Sequence, residues 1–199
     1  MARAVSRVVW RRAGRLRGGP ENKLRKWAAV GLGEYEDAYR AIRSANPFPS
    51  VCSRVCHHPC ESLCRCGTTG GEPIAIRHLK RFVVDRVDPS VYKYAVRTRL
   101  DAPRAAVIGA GPAGLTAAHG LSLLGYRVTI FEKEATAGGM LVAAIPEYRL
   151  PRATLQREID ALLNENIEVR YQQALGRDFT VASLKKDGYA AVYVAIGAH

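Results

Sequence analysis

The chain has 199 residues, of which 48% are apolar, and a net charge of +12. This length allows one domain or two small ones around a packed core. No apolar run approaches the roughly 20 residues of a membrane-spanning helix, so we expect no membrane insertion. All five cysteines lie within residues 52–66, and no secretory signal precedes them. This favours a reducing compartment, the cytoplasm, and metal binding rather than disulfide bonds.

The charge is concentrated at the start of the chain, where residues 1–26 hold nine Lys and Arg residues against one Glu. We expect residues 1–25 to form a disordered basic tail. Its first 20 residues are Arg-rich and acid-free, which loosely resembles an organelle transit peptide. A wrongly assigned start codon is an alternative. Nucleic-acid binding is not favoured, because no aromatic platform or binding motif accompanies the charge.

Residues 26–90 are predicted to form a helical domain that contains the cysteines. Apolar residues recur every three or four positions over residues 26–44 and are interrupted at Gly31–Gly33, which predicts two short helices. Pro59 predicts turns and short helices through the cysteine segment, and residues 73–87 are predicted to form a further helix. Residues 91–104 are predicted to be a linker.

Residues 105–199 alternate predicted strands and helices, which indicates a parallel, doubly wound sheet. The predicted strands are residues 105–109, 126–131, 167–171 and 190–196, and the predicted helical segments are residues 112–124, 154–164 and 183–187.

A glycine-rich turn follows the first of these strands, with the spacing G-x-G-x-x-G at Gly109, Gly111 and Gly114. The first glycine permits a tight turn, the second lets the backbone approach a pyrophosphate, and the third allows the helix to pack closely on the strand. Pro112 suits the first helical position, where no N–H is needed. The turn therefore predicts a dinucleotide bound at the helix N-terminus.

Glu132 ends the second strand, 23 residues after Gly109, where its carboxylate can accept hydrogen bonds from the ribose of an adenosine and would repel a 2′-phosphate. Gly138 and Gly139 follow shortly after. An acid followed by paired glycines resembles flavoproteins with two dinucleotide-binding domains, so FAD is the predicted cofactor. An NAD-binding dehydrogenase fragment is an alternative.

Cys52, Cys56, Cys60 and Cys64 are each separated by three residues. This spacing is neither the ferredoxin run nor a pair of zinc knuckles. Three interpretations follow: iron–sulfur ligation, a Cys/His zinc site that uses His57 or His58, and reduced cysteines without a metal. Cys66 has no evident partner.

Together these motifs resemble one family. The segments NPFPSVCSRVCHHPCESLC at residues 46–64 and EPIAIRHLKRF at residues 72–82 are similar to the N-terminal iron–sulfur domain of the glutamate synthase small subunit. The same module occurs in the N-terminal part of dihydropyrimidine dehydrogenase. The segments GGML at residues 138–141 and IPEYRLPR at residues 145–152 are distinctive of this family. The resemblance implies an α-helical iron–sulfur-type domain followed by a partial α/β Rossmann-like FAD-binding domain.

The resemblance also implies a function, in which electrons pass from NAD(P)H to FAD and through [4Fe-4S] clusters to a redox partner subunit or domain. It implies metal ligation by Cys56, Cys60 and Cys64, and less directly by Cys52. No residue is expected to act as a catalytic acid, base or nucleophile. The implied FAD-binding residues are Gly109, Gly111, Pro112, Ala113, Gly114, Leu115, Glu132, Lys133, Gly138, Gly139, Met140, Arg149 and Leu175.

The chain departs from the family pattern in several respects. Residues 1–27 contain no cysteine, so the cluster ligand set is incomplete, and Lys80 stands where some relatives place a ligating glutamine. Ser53 and Ala144 replace glycines usual in the motifs. The sequence stops before the domain that binds NAD(P)H in full-length relatives. We therefore expect a fragment of such an oxidoreductase, or alternatively a non-catalytic fragment or docking module with a structural Cys/His metal site.

Overall fold

A computed structural model describes residues 22–92, 96 and 101–197. The chain divides into two compact units between Tyr92 and Lys93, and each unit is described by itself. Most of the predicted basic tail and much of the predicted linker lie outside the described residues. In the described part of the chain, no helix combines the length and apolar character needed to cross a membrane.

The first unit is helical. Its helices are α1 (Asn22–Leu32), α2 (Tyr35–Arg43), α3 (Pro49–Val55), α4 (Pro59–Ser62), α5 (Arg65–Thr68) and α6 (Ile76–Val84), followed by a 3₁₀ turn at Pro89–Val91.

The two predicted N-terminal helices are confirmed, with a tight turn between them. Gly33 adopts a φ of +81° there, a conformation that glycine reaches without steric cost. Apolar side chains from α1, α2 and α6 pack into one core, in which Tyr39 and Val83 are fully buried. The predicted helix over residues 73–87 is shorter than expected, because α6 ends at Val84 and the following residues turn back onto its last carbonyls.

The cysteine segment is broken into short helices, as Pro59 predicts. His58 takes a left-handed conformation with a φ of +48°, and Pro59 then begins α4. The five cysteines therefore lie along α3, α4, α5 and the turns between them, and not on one face of a continuous helix.

The second unit is a parallel α/β fold, which confirms the predicted fold class. Its elements are β1 (Arg104–Ile108), α7 (Pro112–Leu123), β2 (Arg127–Phe131), α8 (Met140–Ala143), α9 (Arg152–Asp160), β3 (Ile167–Arg170), α10 (Val181–Lys186) and β4 (Tyr189–Val194).

The strands form a sheet in the order β3-β2-β1-β4, and all neighbouring strands are parallel. Helix α7 packs on β1 and β2, and α10 packs against β4. Because the strands are parallel, their carboxyl ends meet at one edge, where ligands bind in folds of this kind.

Three helices of this unit differ from the sequence prediction, since α10 also begins two residues earlier than expected. Helix α9 begins at Arg152 and ends at Asp160, earlier than expected, because the chain turns towards β3. The short helix α8 was not predicted. Helix α10 begins with a capping box, in which Thr180 and Ser183 each bond the other's backbone N–H.

Candidate functional site

The loop between β1 and α7 depends on close backbone approaches. Gly109 has a φ of +107°, and a Cβ atom there would lie 2.4 Å from the carbonyl oxygen of Ala195. At Gly114, a Cβ atom would lie 1.9 Å from the carbonyl oxygen of Gly109. Both positions therefore require glycine for the fold itself, whatever the cavity binds.

Gly111 differs from these two glycines. Its φ of −76° and ψ of −178° are open to any residue. A Cβ atom there would meet nothing closer than the Cα atom of Gly139, at 4.0 Å, which is an ordinary contact. Gly111 also lines the cavity described below. No contact with the described protein atoms requires glycine at position 111. The absence of a side chain there leaves space open towards the cavity.

Helix α7 presents its N-terminus at this loop. Pro112 occupies the first turn, and Leu115 donates the first of the helix's backbone hydrogen bonds, to the Gly111 carbonyl at 2.9 Å. The N–H groups of Ala113 and Gly114 precede that bond, in the turn where an α-helix has no carbonyl to pair with its amides. These amides and the positive end of the helix dipole favour a bound anion.

Glu132 lies at the end of β2 and is 5% exposed. One carboxylate oxygen accepts the Ala110 N–H at 2.6 Å, and the other accepts the Glu134 N–H at 2.9 Å. Each carboxylate oxygen retains a further acceptor site. Glu132 also lines the cavity. The carboxylate thus ties the glycine loop to β2, a structural role that the sequence analysis missed.

The second glycine segment lies against the first. The Gly138 N–H donates to the Ala110 carbonyl at 2.8 Å. Gly139 has a φ of +51°, and a Cβ atom there would lie 3.0 Å from the Cα atom of Gly111. Helix α8 begins directly afterwards at Met140. At Gly139 the chain therefore passes close to the glycine loop.

These segments enclose a cavity of about 810 Å³ at the carboxyl edge of the sheet. Its volume is in the range of small-molecule and cofactor sites. Nine of the residues expected to bind FAD line it: Gly109, Gly111, Pro112, Ala113, Glu132, Lys133, Gly139, Met140 and Leu175.

Four other predicted residues do not line the cavity. Gly114 and Leu115 are buried in α7, and Gly138 is buried near the side chains of Val142 and Leu155. Arg149 is exposed on the segment that follows α8. The roles that the resemblance implies for these four residues stay predictions.

Besides Ile108 and Phe131 at the ends of β1 and β2, the sequence analysis missed several residues that line the cavity. They are Glu134, Ala135, Thr136, Val142, Ala143, Gln173, Ala174 and residues 193–197, which end β4 and directly follow it. The end of β4 could have been found from topology, since ligands bind beyond the carboxyl ends of parallel strands. The other residues carry no comparable signal.

The cysteines of the first unit show a donor environment suited to thiolates. The sulfur of Cys56 accepts the His58 N–H at 3.3 Å, and the sulfur of Cys64 accepts the Ile74 N–H at 3.4 Å. The bond from Ile74 lowers the pKa of Cys64, and burial only partly opposes it. Such N–H···S bonds also influence the reduction potential of iron–sulfur clusters. The thiol of Cys52 instead lies 3.8 Å from the side-chain oxygen of Asn46.

Cys60 is exposed, and the other cysteines are partly buried. Among the described residues, no three His, Cys, Asp or Glu side chains are gathered closely enough to hold a metal ion. The donor chemistry of the segment therefore suits a thiolate-bound cluster, whereas the described side chains are not assembled around a common centre.

Helix α6 fastens the cysteine segment. Arg77 on this helix makes two hydrogen bonds to the segment. Its backbone N–H donates to the Glu61 carboxylate at 2.7 Å, and its guanidinium donates to the Cys56 carbonyl at 3.1 Å. Arg54 on α3 pairs with Asp85 at the end of α6, at 2.6 Å. These bonds attach α3, the turn at Cys56 and α4 to α6.

Comparison with known families divides the chain at the same two regions. Residues 21–90 match the family described as dihydropyrimidine dehydrogenase domain II, 4Fe-4S cluster. Residues 107–152 match the NAD(P)-binding Rossmann-like domain. The two matches indicate an iron–sulfur cluster and a nucleotide cofactor.

Curated relatives are subunits of oxidoreductases. The chain is 40% identical over 193 residues to the NADP(+)-dependent formate dehydrogenase subunit beta of Moorella thermoacetica, covering 86% of this chain and 27% of that protein. It is 37% identical to the NAD-dependent dihydropyrimidine dehydrogenase subunit PreT of Salmonella typhimurium, covering 82% and 40%. It is 33% identical to the glutamate synthase [NADPH] small chain of Mycobacterium tuberculosis, covering 89% and 36%.

The chain thus spans between about a quarter and two fifths of the length of these relatives. The resemblance predicted from the cysteine and glycine motifs is confirmed: residues 21–90 match the 4Fe-4S family of dihydropyrimidine dehydrogenase domain II, and residues 107–152 match the NAD(P)-binding Rossmann-like domains.

Proposed function

We propose that this chain is an electron-transfer module of an NAD(P)H-dependent oxidoreductase, with FAD bound in the cavity of the second unit and an iron–sulfur cluster bound by the first. It delivers electrons to a redox partner subunit or domain, in line with the subunit names of its relatives. Five free cysteines suit a reducing compartment, which supports a cytoplasmic location.

The observation that carries the FAD proposal is the space at Gly111. Gly109 and Gly114 are glycines because the protein backbone would otherwise clash with itself, but Gly111 has no neighbour that forbids a side chain. A ligand whose diphosphate approaches the backbone explains the open space. The nearby amides of Ala113 and Gly114 supply donors for its phosphate oxygens.

The rest of the cavity suits the other parts of the same ligand. Glu132 holds the adenosine ribose through the acceptor sites that its two backbone bonds leave open. Its negative charge disfavours a 2′-phosphate and so argues against NADP here. Gly139 and Met140 also line the cavity, and we assign them to the flavin half of the ligand. When bound, the flavin supplies hydride acceptance and single-electron transfer.

In the first unit, Cys56, Cys60 and Cys64 are the proposed thiolate ligands, with Cys52 as a further candidate. The amide donors to the sulfurs of Cys56 and Cys64 support this assignment, because they stabilise negative charge on sulfur. The residues expected to hold the cluster thus lie on a segment that Arg77 and Arg54 fasten to α6.

Flavin fluorescence quenching tests the FAD proposal when the purified chain is titrated with FAD. The Gly111→Ala variant adds one methyl group without a protein clash, and we expect it to weaken FAD binding by about tenfold or more. Gly120→Ala on the same helix is the matched control, since its Cβ atom would meet nothing within 4 Å. Equal FAD affinity in the wild type and Gly111→Ala would contradict the proposal, as would a folded wild type that binds no FAD.

A further inference from the structure

Arg152, the first residue of α9, makes a concentrated set of contacts with the segment that follows the paired glycines. Its guanidinium donates to the carbonyls of Leu141 at 3.1 Å, Val142 at 2.8 Å and Ile145 at 3.1 Å. Arg152 is partly buried and does not line the cavity. One side chain therefore satisfies three carbonyls of a neighbouring segment.

Two of those carbonyls, of Leu141 and Val142, belong to a helix that needs outside support, and Ile145 lies two residues beyond its end. Helix α8 has only four residues, well below the length at which a helix is stable by itself. The last carbonyls of a helix have no intrahelical partners. A guanidinium is suited to this role because its donors form a rigid planar fork and its positive charge favours the carbonyl end of a helix.

Helix α8 is also part of the cavity wall, since Met140, Val142 and Ala143 line the cavity. Its start is fixed by the Gly138 N–H, which donates to the Ala110 carbonyl at 2.8 Å. Its other end is fixed by Arg152. The wall is therefore held at two points, one on the glycine loop and one on α9.

We propose that Arg152 is a positioning residue for the flavin half of the bound dinucleotide, acting through α8. The inference rests on the proposed FAD function. The adenosine and diphosphate positions depend on a different set of contacts, those of Gly111, Ala113 and Glu132. Loss of Arg152 therefore loosens the flavin side of the cavity and leaves the adenosine side intact.

Parallel titrations with FAD and with ADP separate these two sides. For Arg152→Gln we expect FAD affinity to fall by about tenfold, while ADP affinity stays within about twofold of the wild type. Arg152→Lys keeps the positive charge but loses the planar arrangement of guanidinium donors. Its FAD affinity should therefore lie between those of the wild type and Arg152→Gln. Arg157→Gln on the exposed surface of α9 is the control and should match the wild type for both ligands.

The outcomes distinguish failure of the proposed FAD site from failure of the proposed role of Arg152. A wild type that binds ADP but not FAD would overturn the FAD proposal and this inference with it. A wild type that binds FAD, with Arg152→Gln binding it equally well, would overturn this inference alone. A variant that loses FAD and ADP affinity in parallel would show a general folding role and would also overturn it.

Discussion

Glu132 and Ala110 are joined by a 2.6 Å hydrogen bond, from the backbone N–H of the glycine loop to a carboxylate oxygen at the end of β2. The second oxygen accepts the Glu134 N–H at 2.9 Å. The acid that we propose to hold the ribose therefore also fixes the loop that we propose to hold the diphosphate. Binding and local stability depend on the same side chain.

This double role predicts that Glu132→Gln weakens both properties. The amide NH₂ group would face one of the two backbone N–H donors, which leaves a buried donor unsatisfied. We expect a loss of about 1–3 kcal/mol in the free energy of unfolding, together with weaker FAD binding. Urea denaturation and FAD titration measure the two effects. Glu165→Gln is the control because its side chain is exposed and does not line the cavity, and equal losses in both variants would contradict the role of Glu132.

The glycines of the loop should respond differently to alanine. Gly114→Ala places a Cβ atom 1.9 Å from the Gly109 carbonyl oxygen, so the backbone must shift. We expect a loss of about 1–3 kcal/mol or more in the free energy of unfolding. Gly111→Ala should leave that free energy nearly unchanged, because it meets no clash. If urea denaturation gave the two variants the same stability, the distinction between a structural and a ligand-facing glycine would be wrong.

The pair between Arg54 and Asp85 predicts a dependence of stability on pH. Burial acts to raise the pKa of Asp85, but hydrogen bonds from Arg81 and Arg54 outweigh it and hold that pKa below its ordinary value. The stabilisation from this ion pair is fully present above the pKa that Asp85 has in the unfolded chain. It is lost as the pH falls through the lower pKa that Asp85 has in the folded chain. Because the Asp85 side chain is 35% exposed, we expect no more than about 1 kcal/mol.

Asp85→Asn should remove this part of the acid sensitivity, which urea denaturation between neutral and acidic pH can measure. Glu72→Gln, in the exposed loop before α6, is the control and should keep the wild-type pH profile. An Asp85→Asn variant with the same acid sensitivity as the wild type would show that the pair does not stabilise the first unit.

The proposed cluster ligands predict different outcomes for two neighbouring cysteines. Cys64→Ser should sharply lower the iron and acid-labile sulfide retained after reconstitution, because it removes a proposed ligand. Cys66→Ser should retain both, since Cys66 is outside the proposed ligand set. Iron and sulfide analysis with the visible spectrum measures this difference. Equal iron content in the two variants would refute the assignment of Cys64.

The glycine loop and its flanking elements could be predicted because their signals are local. Gly114 is required by its close approach to the Gly109 carbonyl within a short βαβ unit, and the apolar runs of β1 and β2 adjoin the loop in sequence. The break of the cysteine segment at Pro59 was predictable for the same reason. In both cases the glycine or proline that determines the backbone conformation lies within a few residues of the turn that it forms.

Helix α8 and the second role of Glu132 could not be predicted. The four residues of α8 carry no helical period, and their carbonyls are satisfied by Arg152, ten residues after Val142. The bond between Glu132 and Ala110 joins residues 22 positions apart. The cavity wall at the end of β4 depends on the pairing of β4 with β1, which only the folded sheet brings about.

Amide hydrogen exchange at Ala113 and Gly114, followed by NMR with and without FAD, tests the central claim most directly. If these amides hold the diphosphate, both should exchange more slowly in the FAD-bound chain, while the exchange rate at exposed Glu165 stays unchanged. Saturation with FAD that leaves both amides exchanging as in the free chain would contradict the proposed site.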